Sequence, residues 1–141
     1  MKQKIVVDTN VLVSSLIAKS YPAFIIDEFV ISRKVTLLLT DDIWNEYIDV
    51  LNRPKFARFA NFKINADLVL LRFDEIAEKL LVTERLAVLA DEADNRFLEA
   101  ALAGSADYVI TGNTTDFTMP VLGNTRIVTP ATYWEDCRPV D

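Results

Sequence analysis

The chain has 141 residues, 51% hydrophobic and 26% charged, with a formal net charge of −6. That is enough for one domain with a sizeable core, too short for two, and too apolar for a disordered chain. It has no histidine and one cysteine, Cys137, which excludes Ser-His-Asp chemistry, histidine general bases, zinc sites built on Cys or His, and an internal disulfide.

Three glycines, Gly104, Gly112 and Gly123, cannot build a dinucleotide-binding or Walker A loop. Hydrolytic chemistry would therefore rest on carboxylates, with a hard metal ion as their natural helper. No apolar run approaches the roughly 18 residues of a membrane span. The start, MKQKIVVDTN, lacks the apolar stretch and cleavage site of a signal peptide. With a lone cysteine, these features predict a soluble cytoplasmic protein with no membrane contact.

Five short apolar segments alternate with longer helical patterns, which predicts βαβ units and a parallel sheet. The first strand, about residues 4–8, ends in Asp8 within VVDTN. Ligands of open parallel sheets bind beyond the carboxyl ends of the strands, so an acid there is well placed for function. The competing reading is a helix cap, a role in which Asp is favoured and which Thr9 and Asn10 can share. Helices over 11–18 and 23–32 follow, then a second strand over 35–40. Runs such as Ile5-Val6-Val7 and Leu37-Leu38-Leu39 suit strands covered on both faces.

A helix over 41–52 comes next, in TDDIWNEYIDVL. Ile43, Trp44, Tyr47, Ile48, Val50 and Leu51 form its apolar face, with Asp42, Asn45 and Asp49 opposite. Glu46 falls at the rim between the two, where a ligand can reach a cleft; an ordinary surface glutamate is the plainer reading. Pro54 ends this helix.

Residues 53–63, RPKFARFANFK, carry Arg53, Lys55, Arg58 and Lys63 and no acid. The net negative charge argues against broad nucleic-acid binding, yet this segment pairs cations with Phe56, Phe59 and Phe62, a combination that binds single-stranded RNA. The three-residue spacing of the phenylalanines also fits one buried helical face. In that case the cations stay outside, available for RNA guidance or a dimer contact.

A helix over 66–79 and a weak strand near 80–82 precede ADEADNRFLEAALA, a helix over 91–103. Phe97, Ala100, Ala101 and Gly104 give it a small-residue face for close packing. Asp91 suits its N-cap and Asp94 its third position. Capping does not explain three acids (Asp91, Glu92 and Asp94) within four positions, because they repel one another unless a cation sits among them. Strands over 108–111 and 126–128 and a short helix from Ala131 complete the chain. The loop TGNTTDF, bearing Thr111, Asn113 and Asp116, leaves the carboxyl end of the fourth strand.

With strand order 3-2-1-4-5, Asp8 and this loop emerge side by side where the winding of the sheet reverses. Helices after strands two and three then bring Glu46 and Asp94 to the same rim. Carboxylates so gathered call for a cation. Mg²⁺ and Mn²⁺ take such oxygen ligands, keep coordinated water, and stabilise charge on a phosphodiester under in-line attack.

VVDTNVLVSSL, the acid in TDDIWNEYIDVL, DEADNRFLEAALAGSADYVITGN, then DF and IVTPATYW together resemble the PIN-domain family. The resemblance is closest to toxin components of bacterial toxin–antitoxin pairs of the VapC type. It runs from Ile5 to about Trp134. It implies one domain over 1–141, a Rossmann-like three-layer α/β/α sandwich, and Mg²⁺- or Mn²⁺-dependent endoribonuclease activity on single-stranded or structured RNA. It also implies a cognate antitoxin partner and a homodimer.

Asp8, Glu46 and Asp94 match the family's three main acids, and Asp91 a further acid of this branch. The fourth position is Asn113 here, where many relatives carry Asp; Asn113 can ligate through its carbonyl, or Asp116 can supply the charge. Thr9 and Thr111 resemble the hydroxyl residues beside the family's metal site. Two rivals stand beside this reading. One is a catalytically weak PIN domain that only binds RNA or protein. The other is a haloacid-dehalogenase-like phosphatase, which would need D-x-D where this chain has Asp8-Thr9-Asn10.

Overall fold

Ile5, Val6 and Val7 are fully buried, and Leu37, Leu38 and Leu39 nearly so, as strands covered on both faces require. The computed structural model describes residues 2–113 and 120–140. Strands β1 (Lys4–Val7), β2 (Thr36–Leu39), β3 (Glu78–Lys79), β4 (Tyr108–Ile110), β5 (Val121–Leu122) and β6 (Thr125–Val128) form one sheet in the order β3-β2-β1-β4-β6-β5. All neighbours run parallel except β5, which pairs antiparallel with β6.

The expected order 3-2-1-4-5 is thus present, with a sixth strand added at one edge. That strand has only two residues and turns back through Gly123 at φ 59°, so it is too short to leave a periodic pattern. The third strand lies two residues earlier than expected, at Glu78–Lys79. Its pairing to Leu38 and Leu39, rather than hydrophobicity, defines it.

The helices are α1 (Thr9–Ile17), α2 (Tyr21–Ile25, continued by a π-helical turn over Ile26–Val30), α3 (Asp41–Leu51), α4 (Phe62–Ile76), α5 (Glu92–Gly104) and α6 (Pro130–Thr132, continued by a π-helical turn over Tyr133–Cys137). No single helix among the described residues is long and apolar enough to cross a membrane. Helices α1, α3 and α4 pack on one another, while α5 lies against β1, β2 and β4. The right-handed crossover rule puts α5 on the opposite face, because the path from β3 to β4 runs back across the sheet.

Three elements depart locally from expectation. The helix expected over 23–32 begins earlier, at Tyr21, passes into the π-helical turn at Ile26 and is stopped by Arg33 at φ 65°. The helix expected from residue 66 begins at Phe62, after Asn61 in a left-handed conformation. The phenylalanines of the basic segment do not share one helix: Phe56 lies in a 3₁₀ turn over Pro54–Arg58, and Phe62 opens α4.

The small-residue face of α5 packs as its sequence predicts. Phe97, Ala100 and Ala101 are buried, and a Cβ on Gly104 would fall 2.6 Å from Leu38 Cδ1 and 2.8 Å from Leu80 Cδ1. Gly104 thus sets how closely α5 approaches β2. Overpacking of this kind costs about 1–3 kcal/mol, so Gly104→Val should lower the urea midpoint by that cost divided by the unchanged slope. An unaltered midpoint would contradict the close approach.

Candidate active site at the carboxyl edge of β1 and β4

The winding of the sheet reverses between β1 and β4, whose registers align Val7 with Ile110. The next residues, Asp8 and Thr111, therefore stand side by side beyond the strand ends. Asp8 keeps its backbone in the ladder, donating its N–H to the Ile110 carbonyl at 3.0 Å. It occupies the N-cap position of α1, yet its side chain makes no capping bond. Its Oδ2 instead accepts a 2.7 Å hydrogen bond from Thr111 Oγ1. Asp8 is only 4% exposed and Thr111 only 1%. Of the two readings of Asp8, the cap supplies the backbone geometry but not the carboxylate's partner.

Glu46 arrives from α3. Thr40 caps that helix by accepting the Ile43 N–H at 3.2 Å, and Ile43, Tyr47 and Leu51 bury one face. Glu46 is half-buried at the rim, as the pattern predicts, and accepts a hydrogen bond from Thr9 Oγ1. Thr9 directly follows Asp8, so one dipeptide addresses both acids.

Burial raises the Glu46 pKa above the ordinary carboxylate value, and the charges of Asp8 and Asp91 add to the rise; the Thr9 hydrogen bond and Arg53 oppose it. Tyr47 is fully buried and donates its hydroxyl to the Val7 carbonyl, locking α3 to the residue before Asp8. Burial first, then Asp8 and Glu46, push its phenol well above the usual range, so it remains a neutral donor.

Helix α5 supplies the other acids. Asp91 is exposed and caps the helix, accepting the Ala93 N–H at 2.9 Å; its charge is nonetheless felt at Glu46. Asp94 is half-buried one turn on, with Oδ2 sealed from solvent. Asn113 donates its backbone N–H to Thr111 Oγ1 at 3.0 Å. Asn10 is exposed and, with Ser14, Gly112 and Asn113, lines an adjoining cleft of about 410 Å³. Asp116 lies outside the described residues.

Among the described residues, no group of three or more Asp, Glu or Cys side chains stands close enough to enclose an ion. The donor chemistry itself, with carboxylate oxygens held by hydroxyl donors and no nitrogen or sulfur, fits a hard divalent cation.

In the basic segment, Phe56 and Phe62 are buried and stack at 4.8 Å. The cations stay outside. Lys55 lies 5.2 Å from the Phe56 ring centre and Arg58 4.8 Å from that of Phe59, while Arg53 pairs with Asp49 at 3.2 Å. Phe56 and Phe62 are core and Phe59 is partly buried, while the cations lie outside, with Arg53 near enough for its charge to be felt at Glu46.

Sequence reasoning passed over Tyr47, which reads as one more apolar-face residue. It also passed over Asn95 and Glu99 on α5. Asn95 accepts the Val88 and Leu89 N–H groups, and Glu99 accepts the Leu86 N–H. Both are buried polar residues that pin residues 80–91, a connection without helix or strand, before Asp91.

A Rossmann-like sandwich with the buried Asp8 at its switch point and Glu46 bonded to the adjacent Thr9 defines the class of the fold. The PIN-domain family model matches residues 4–115, most of the chain, and the chain belongs to the PIN-domain family. PIN domains are generally nucleases and typically use divalent metal ions. No curated protein matches the chain at a significant level.

Because folding raises the Glu46 pKa, ionised Glu46 costs stability. The cost is absent below the unfolded pKa, about 4.3, and is complete once the pH exceeds the folded value. Glu46→Gln keeps an acceptor for Thr9 and removes the charge. With chelator present, it should raise the melting temperature at pH 7 and lose that advantage near about pH 4. A gain independent of pH would contradict the assigned cause.

Proposed function

We propose that this protein is a Mg²⁺- or Mn²⁺-dependent endoribonuclease that acts as the toxin of a toxin–antitoxin pair. The observation that carries the nuclease part is the buried Asp8 carboxylate, bonded to Thr111 across the β1/β4 switch point and joined through Thr9 to Glu46. Asp8, Glu46 and Asp94 are the catalytic acids of this reading, and with Asp91, Asn113 and Asp116 they form the ligand set. When bound, the ion lowers the pKa of a coordinated water and neutralises charge on the phosphodiester.

The chain's own groups prepare that step. Thr111 and Thr9 each donate to one carboxylate oxygen, which orients the two carboxylates. A water would attack phosphorus in line, giving a proton to solvent, as the bond to the leaving ribose oxygen breaks and that oxygen takes up a proton. Arg53, Lys55 and Arg58 hold the RNA backbone. The toxin assignment, a cognate antitoxin and a homodimer rest on the resemblance of the ordered motifs to toxin components.

A second reading, a PIN domain that binds RNA or protein without cutting, draws on Asn113 at the fourth acid position and on the lack of a closed three-acid group among the described residues. Cleavage of single-stranded RNA with Mg²⁺ or Mn²⁺ separates the two.

Asp8→Asn and Asp94→Asn should each reduce metal-dependent cleavage by more than the roughly 10–100-fold that loss of an outer partner of a metal site costs. Thermal unfolding checks that both variants fold. Full activity in either folded variant sinks the assignment of that acid.

The substrate-binding surface has a separate signature. Changing Arg53, Lys55 and Arg58 together to Gln should weaken RNA binding and lessen its salt dependence by up to about 2–3 units of slope, because fewer counterions are released. The rate at saturating RNA should hold. An unchanged slope returns these cations to the role of solvated surface.

A further inference from the structure

Glu99 is an acid with a 1% exposed side chain in the middle of α5. A buried carboxylate needs charge and hydrogen bonds to offset its lost hydration. Glu99 has both: Leu86 N–H donates to Oε2 at 2.8 Å, Arg96 pairs with Oε2 at 3.2 Å, and Arg85 Nη1 donates to Oε1 at 3.0 Å. The same Arg85 nitrogen reaches Asp42 Oδ2 on α3 at 2.7 Å. One guanidinium thus joins α3 to α5 through a connection that is itself pinned to α5 by Asn95 and Glu99.

The joined positions share helix faces with the acids of the site. Asp42 and Glu46 are four residues apart on α3. Asp91, Asn95 and Glu99 follow at the same interval on α5. Residues spaced by four lie on one side of a helix. Arg85 supplies a fixed positive charge between neighbouring carboxylates of the same two helices.

We propose that Arg85 is a positioning residue. Through Asp42 and Glu99 it ties the Glu46-bearing helix to the Asp91- and Asp94-bearing helix and limits how far the two must move to close on a divalent cation. It does not touch the ion or RNA. The proposal rests on the metal-site reading above and names a residue that reading does not use. Its effect belongs to metal affinity, since an ion that must draw untethered helices together binds more weakly than one closing on helices already linked.

The test is Mn²⁺ titration by calorimetry on the full chain, with wild type, Asp8→Asn, Arg85→Ala, Arg85→Lys, Asp42→Asn and the double variant Arg85→Ala/Asp42→Asn. Arg85→Ala should weaken Mn²⁺ binding about tenfold, the usual cost of losing an outer partner of a metal site. Arg85→Lys should recover part of it, because an ammonium keeps the charge but not the planar donor fork. Asp42→Asn should reproduce much of the loss with the Arg85 bond to buried Glu99 intact, so a folded variant exists even if Arg85→Ala is unstable. The double variant should be no worse than Arg85→Ala, as expected for partners in one link. Cleavage should fall at limiting Mn²⁺ and converge with wild type at saturation, with the salt dependence of RNA binding unchanged.

Mn²⁺ affinity in Asp42→Asn and Arg85→Lys equal to a wild type that binds through Asp8 would overturn the positioning role and leave the site reading standing. Wild-type binding indifferent to Asp8→Asn would overturn the site reading, and the role of Arg85 with it.

Discussion

A carboxylate that is 4% exposed must find its compensation inside the protein, and Asp8 finds it in the Thr111 hydroxyl across the switch point. That bond requires β1 and β4 to be parallel neighbours in one register. The register requires α5 to cross back over the sheet, and the close packing of Gly104 against Leu38 sets how near α5 lies. The same constraint reaches α3, because Tyr47 is anchored to the carbonyl just before Asp8 and Thr9 just after it bonds Glu46. The acid site is a consequence of sheet order and helix placement, which the apolar core stabilises and which put one charged group at the reversal of the winding.

Such an arrangement stores repulsion. Glu46 keeps its proton more readily than an exposed glutamate because burial and the charges of Asp8 and Asp91 oppose its ionisation. A folded protein tolerates this where the acids have work to do, and PIN domains are generally nucleases that typically use divalent ions. Groups that bring the acids together therefore matter as much as the acids. Two hydroxyls, one phenol and one guanidinium do so here, and each is neutral or positive.

Much of this was legible in the sequence for identifiable reasons. Asp8 stood out because it ends a continuous apolar run, and Glu46 because the α3 pattern leaves it at the rim of the buried face. The parallel sheet followed from alternating patterns, and the small residues of α5 announced close packing. The rest was hidden by contacts that pattern cannot express. Glu99 falls on the polar side of α5 by periodicity, and it is buried only because residues 80–91 cover it. Tyr47 looks apolar until its hydroxyl is seen against Val7. Strands β3 and β5 have two residues each and are defined by their partners alone. Asp91 carried two readings, and its carboxylate does cap α5 while its charge also reaches Glu46.

The central claim, that the switch-point acids exist to hold a divalent cation, is tested most directly by anomalous diffraction from crystals soaked in Mn²⁺. The account predicts a peak coordinated by Asp8 and Glu46, with a carboxylate of α5 drawn onto it. A structure in which Mn²⁺ binds only elsewhere, or in which the Asp8–Thr111 pair remains closed without an ion at saturating Mn²⁺, would contradict it.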